Sequence, residues 1–189
     1  MKHGNLISIV KKIYKKARIF VLVTLFEKKF GDEGKYLYLR RGSDKLIIVF
    51  SAFNSTKKRR YNYIDALNGK RIDRLYIMDC WSDTGSYYMY ENGRDYPKQY
   101  VQYVISQVIN GGGYKQVFTA GTSMGGTCAI YFGLTSKADE VYAAACQYYI
   151  GQYLNTDEHR RIFQSMMGAD AGDAEQKILD SMMPDVLQA

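Results

Sequence analysis

Proline, cysteine and histidine are all scarce in this chain. With 2 Pro and 3 Cys in 189 residues, there is no Pro-rich linker and no disulfide framework. Cys80, Cys128 and Cys146 are odd in number, form no CxxC pair, and lie in or beside apolar runs, as reduced core thiols do. No apolar run approaches the roughly 20 residues that a bilayer span takes; the longest, Ile19 to Phe26, is broken by Thr24. The opening residues Met1-Lys2-His3-Gly4 lack the apolar core and small-residue cleavage site of a secretory signal. Together these absences predict a cytoplasmic protein. Repeats and low-complexity tracts are missing too, so the expected organisation is an N-terminal basic helix with an edge strand over residues 1–35, followed by one compact unit over 36–189.

Apolar residues and tyrosine are plentiful, at 47%. A chain of this length buries roughly 70% of its unfolded surface on folding, which excludes global disorder. Lys and Arg outnumber Asp and Glu by 26 to 19, for a formal net charge of +7. The basic residues gather at Lys11, Lys12, Lys15, Lys16 and Arg18, at Lys28 and Lys29, and at Lys57 to Arg60. The first group shares an amphipathic segment whose apolar side is Ile7, Val10, Ile13 and Tyr14. It predicts a solvated face, or else a peripheral membrane or protein partner for the N-terminal helix. No nucleic-acid motif accompanies the charge, so no nucleic-acid partner is expected.

Along the chain, the β-branched run Arg18 to Phe26 predicts a first strand. Tyr36 to Arg40 and Lys45 to Phe50 predict a hairpin closed by Arg41-Gly42-Ser43-Asp44. Alternation follows. Tyr61, Ile64 and Leu67 have helical spacing before Asn68-Gly69; Arg74 to Met78 reads as a buried strand; Val101, Val104, Ile105 and Val108 form a helix face closed by Asn110-Gly111-Gly112-Gly113. Gln116 to Ala120 and Glu140 to Cys146 read as strands around a helix from Met124 to Leu134. Thr156-Asp157-Glu158 reads as the start of a helix stopped at Gly168, and Asp173 to Met183 as a last helix before Pro184. Continuous apolar strands alternating with helices predict an α/β fold with a mostly parallel sheet flanked by helices on both faces. Ligands then bind past the strand ends at Phe50, Met78, Ala120 and Cys146.

One strand end carries the chemistry. Gly121-Thr122-Ser123-Met124-Gly125-Gly126 is a G-x-S-x-G between a strand and a helix, a turn sharp enough to lift a serine above the sheet edge, with glycines where a Cβ would collide. Ser123 is the candidate nucleophile. The helix beginning beside it aims its first amides at the reacting centre, and the Met124 N–H is placed to stabilise an oxyanion. The second donor is expected from the loop Phe50-Ser51-Ala52-Phe53-Asn54-Ser55, as the amide of Ala52 or Phe53.

This order of elements, with the Gly121 to Gly126 motif, resembles the α/β-hydrolase superfamily over roughly residues 36 to 150. Val49 to Asn54, Met78-Asp79-Cys80-Trp81 with Tyr87-Tyr88 and Glu91-Asn92-Gly93, and Cys146 to Leu154 are similar to a bacterial subgroup of it. That subgroup contains capsular-polysaccharide biosynthesis proteins and the glycan-acetylating component of the accessory Sec system. The resemblance implies a serine esterase or O-acyltransferase acting through an acyl-enzyme on a glycan or its precursor, with no metal or organic cofactor.

A serine needs a histidine base oriented by a carboxylate, and only His3 and His159 exist. The superfamily order would place the acid after one further strand and the histidine after yet another, and this sequence shows neither strand. Two expectations follow: a C-terminally truncated domain without its native base, or His159 recruited with Asp157 or Glu158. The first makes the chain a catalytically incomplete binding or assembly module in polysaccharide or secretion machinery and leaves a sheet edge open to a homodimer. Asp79 is a further carboxylate at a strand end, expected to cap its loop, to bind substrate hydroxyls or to orient a partner. Trp81 reads as a sugar-stacking residue or as part of the core or rim.

Overall fold

The computed structural model describes residues 3–30, 33–53, 60–82 and 84–188. Asn54 and Ser55 of the expected oxyanion loop, and Lys57, Lys58 and Arg59 of the third basic group, lie outside the described residues. A 24-residue helix, α1 (His3–Phe26), leads into β1 (Glu27–Phe30), β2 (Gly34–Leu39), β3 (Lys45–Phe50) and β4 (Asp73–Met78). Then come α2 (Tyr96–Gly112), β5 (Gln116–Thr122), α3 (Met124–Thr135), β6 (Glu140–Ala144), α4 (Ile150–Leu154), α5 (Arg160–Met167) and α6 (Asp173–Gln188). The six strands form one sheet in the order β1-β2-β4-β3-β5-β6. β4, β3, β5 and β6 are parallel, and β1 and β2 are antiparallel to their neighbours. The fold is α/β with a mostly parallel sheet.

One face of the sheet presents Leu46, Ile48, Phe50, Leu75, Ile77 and Val117 to Val101, Val104 and Ile105 of α2 and to Cys128, Ala129 and Phe132 of α3, all buried. The opposite face presents Leu37, Leu39, Val49 and Tyr76 to Ile19 and Leu22 of α1 and to Tyr61, Ile64 and Leu67. That second layer stops short of the last strands. β6 is largely exposed, and among the described residues it pairs only with β5. Leaving β4, the chain crosses over β3 to reach β5, so the ends of β3 and β5 lie side by side at the point where the strand order reverses. That is where open α/β sheets bind ligands.

Four local expectations are corrected. Arg18 to Phe26 is the second half of α1 and not a strand: Ile19 and Leu22, one turn apart, reach the sheet, while Lys15 and Arg18 pair with Asp65 at 2.7 and 2.5 Å. Tertiary contacts override the strand preference of a β-branched run. β2 and β3 do not form a hairpin, because β4 inserts between them. The turn between them instead wraps the start of β4, where Asp73 accepts the Arg41 and Ser43 amides at 2.6 and 3.2 Å and the Tyr114 hydroxyl at 2.8 Å. Residues 61–69 form turns and no helix; Tyr63 sits at φ +61°, which a helix does not accommodate, yet Ile64 and Leu67 still fill the core. At the C-terminal end, α5 begins at Arg160, past Thr156-Asp157-Glu158, and α6 runs through Pro184.

α1 is also mounted the opposite way round from a core-packed amphipathic helix. Its expected apolar side faces away from the domain, with Ile7 57%, Val10 57%, Ile13 61% and Tyr14 69% exposed.

Candidate active site

β5 ends at Thr122 and α3 begins at Met124, so Ser123 alone makes the turn, at φ 51° and ψ −129°. An L-residue at such a φ is strained and persists only where its surroundings fix it. Here the Ser123 amide donates to the Ala144 carbonyl at 2.9 Å, and its own carbonyl accepts the Gly126 and Thr127 amides at 2.8 and 3.0 Å. The three glycines are each required. A Cβ on Gly121 would lie 2.1 Å from the Gly125 carbonyl oxygen, one on Gly125 2.5 Å from that of Phe50, and one on Gly126 2.7 Å from that of Ala144. Ser123 stays partly exposed at the head of α3, where a helix turns its first amides toward the serine end.

The same close approach sets the start of α3 against the end of β3, where the expected oxyanion loop begins. Ser51 is buried there, its amide 2.8 Å from the Tyr88 hydroxyl and 3.2 Å from the Ile77 carbonyl. The Tyr88 hydroxyl in turn lies within 3.1 Å of the Ser51 and Ile77 carbonyls. Burial pushes this phenol well above its ordinary pKa, so it stays protonated. Asp79 holds the loop that delivers it, accepting the Ser86 amide and hydroxyl at 2.6 and 2.7 Å and the Tyr88 amide at 3.4 Å. At φ +90°, Gly85 of that loop would place a Cβ 3.4 Å from Met124 Sδ, 3.5 Å from Phe53 Cδ2 and 3.7 Å from Asp79 Oδ2. Met124, Phe53 and Asp79 therefore meet beside the elbow, with Ala52 next to Phe53 in the chain.

Trp81 stands elsewhere. It is 0% exposed and packs edge-on to Phe30 and Tyr88, with centroids 5.6 and 6.5 Å away, which makes it a core residue. His159 caps α5, its Nε2 3.2 Å from Tyr153 Oη and its Nδ1 3.2 Å from Thr156 Oγ1. Neither ring nitrogen is hydrogen-bonded to Ser123, and Asp157 is exposed in the turn before it.

A polar cluster one turn along α3 has no counterpart in sequence reasoning. Gln147 Oε1 accepts from Thr127 Oγ1 at 3.1 Å and from Tyr87 Oη at 3.2 Å, while the Gln147 amide donates to Thr127 Oγ1 at 2.9 Å. Burial, then Cys128, Tyr153 and Asp79, raise the Tyr87 phenol. Only its place beside the Cys146-Gln147-Tyr148 run hinted at it. On the other side of the elbow, Tyr63 Oη lies 2.8 Å from Thr122 Oγ1 at one end of an apolar groove of about 580 Å³. Ile47, Val49, Ala120, Tyr142 and Ala144 line it over the uncovered half of the sheet.

The fold as a whole is matched in solved structures. The capsule O-acetyltransferase of Neisseria meningitidis serogroup A superposes with a TM-score of 0.72 at 24% identity, over 86% of this chain and 67% of its own. The chain has the α/β-hydrolase fold. A histidine-to-alanine mutant of the same capsule enzyme, solved with CoA, matches this hydrolase-fold chain with a TM-score of 0.66 at 25% identity, over 86% and 66%. The glycosylation-associated protein complex of Streptococcus agalactiae contains a chain that superposes at 0.68 with 14% identity, over 86% and 33%. The fluorophosphonate-binding serine hydrolase F of Staphylococcus aureus does so at 0.54 with 15% identity, over 82% and 74%. The chain thus spans about two thirds of the capsule enzyme and one third of the streptococcal protein. No protein-family model matches the sequence. No curated protein matches it either.

Proposed function

We propose that this chain is a serine O-acyltransferase or esterase acting on a glycan or a polysaccharide precursor. The observation that carries the reading is Ser123 itself, held at positive φ by three glycines that admit no Cβ, at the head of a helix. In the reaction, Ser123 Oγ attacks the acyl carbonyl and passes its proton to a base. The oxyanion is received by the Met124 amide with that of Ala52 or Phe53, and the leaving group departs with a proton. A sugar hydroxyl or water then attacks the acyl-enzyme, restoring the serine. The likeness to a capsule O-acetyltransferase supports a glycan acceptor, and its CoA-bound mutant makes acetyl-CoA the first donor to try. Asp79 acts by holding the Tyr88 loop in this reading. Three cysteines, none of them in a disulfide, suit a reducing, cytoplasmic setting.

A second reading has its own support. His159 is engaged with Tyr153 and Thr156, and the groove beside Thr122 is open. The chain would then be a module whose base comes from another polypeptide, with β6 as the edge for a homodimer or partner strand. Turnover of p-nitrophenyl acetate by the wild type, Ser123→Ala and His159→Ala separates the two. Loss of turnover in both variants establishes a compact hydrolase using His159 with Asp157 or Glu158 nearby. Activity lost in Ser123→Ala but kept in His159→Ala excludes that base, and no activity above the Ser123→Ala background favours the module.

A further inference from the structure

α1 carries an apolar face that nothing among the described residues covers. At 3.6 residues per turn, Ile9, Phe20, Ile13, Val10, Val21, Tyr14, Ile7 and Leu25 fall in one sector roughly 160° wide. All are exposed, Phe20 at 71% and Leu25 at 68%. The sector is flanked by lysines. Lys12 and Lys16 lie along one border and Lys11 along the other, all three exposed, while Lys15 and Arg18 point to the domain and pair with Asp65. Among its 24 residues there is no Asp or Glu. The helix is about 36 Å long at 1.5 Å per residue, yet its basic residues keep it from the composition of a membrane-crossing helix.

From this arrangement we infer that α1 lies in the plane of an anionic lipid surface, with its apolar sector in the acyl boundary, its flanking lysines at headgroup level and the hydrolase domain held above. Helices with a wide apolar face and a basic border bind in this way, and the lysines add electrostatic attraction to acidic headgroups. A second copy of the chain is a poorer occupant of the face. With no acidic residue on α1, packing two such helices together would set lysine borders against one another, whereas an anionic surface neutralises them. The inference does not rest on the acyl-transfer reading, since binding needs no turnover.

The test is flotation of the full chain with phosphatidylcholine vesicles, with and without a third of phosphatidylglycerol, comparing wild type with the double variant Ile13→Glu, Phe20→Glu. Both positions point into solvent, and the near-ultraviolet signal of Trp81, the single and fully buried tryptophan, reports whether the core is intact. The wild type is expected to float with the anionic vesicles, less with neutral ones and less at high salt. The double variant should bind about tenfold more weakly or worse, because two buried apolar contacts are lost. A second variant, Lys12→Glu with Lys16→Glu, should lose the preference for anionic vesicles while keeping the Trp81 signal. Wild type that stays with neither vesicle, or a double variant that floats as well as wild type, overturns the inference. So does a wild-type dimer in light scattering that the double variant splits, which would assign the face to a second copy.

Discussion

At the scale of single residues, the groups that shape the site are not the reactive ones. Tyr88 makes no chemistry, but its hydroxyl is the partner of the Ser51 amide in a place that water does not reach. Tyr88→Phe leaves that amide with the 3.2 Å bond to Ile77 alone. It should cost about 1–3 kcal/mol in urea unfolding, and should lower kcat more than it raises KM if the loop supplies an oxyanion amide as proposed, because that loop loses its anchor. Asp73 illustrates charge in the same role. Burial pushes its carboxyl up, but the Arg41 amide, the Tyr114 hydroxyl, the Ser43 amide and Arg40 together hold it below the ordinary carboxylate value. Its contribution to stability is therefore complete above the unfolded-chain pKa of about 3.9 and fades as pH falls through the lower folded value. Asp73→Asn should destabilise the protein by on the order of 1–3 kcal/mol at pH 7, with the deficit narrowing in urea melts repeated near pH 3. Neither role was legible in the sequence. Tyr88 is one of 18 tyrosines, and its use depends on a left-handed backbone at Tyr87 and Tyr88, φ 52° and 58°, that tyrosine does not signal.

Among the elements, α3 is the most constrained by what it touches. Gly125 and Gly126 lie against β3 and β6 backbone, and a Cβ on Gly133 would sit 2.5 Å from Thr119 Oγ1. Gly126→Ala should cost about 3 kcal/mol or more, since its obstacle is the Ala144 carbonyl and not a movable side chain. Gly111→Ala, on an exposed turn of α2 with nothing within 4 Å, should instead stabilise by about 0.5–1 kcal/mol; thermal melts of the pair test both signs. This element was readable in advance because glycine spacing reports close backbone approach directly. β3, β4 and α2 were readable for a different reason, their apolar periodicity. The failures share a cause: α1, the β2–β3 connection and the turns at 61–69 are fixed by partners distant in sequence. Asp65 draws Arg18 inward, β4 slides between two strands that look like a hairpin, and Tyr63 turns the chain left-handed toward Thr122.

For the whole molecule, the two borders of the sheet are unequal. β1 carries exposed Lys28 and Lys29 along its outer edge, a charge arrangement that discourages further strand pairing. β6 carries a single charge, Glu140 at its start, and leaves Ala143 and Ala144 exposed beside an apolar groove. If two copies join through β6 about a twofold axis, the interface uses the same edge on both. Light scattering across a concentration series should then show monomer and dimer only, and Ala143→Lys should shift the mixture to monomer without changing the thermal midpoint. The unequal borders have a further consequence in terms of polymer growth. A β6-to-β6 pair ends in a lysine-bearing β1 at each side, so the first joining step is also the last. In such a pair the lysine-bearing border would act as a chain terminator, so that assembly through β6 would stop at a finite particle rather than run on as a fibre.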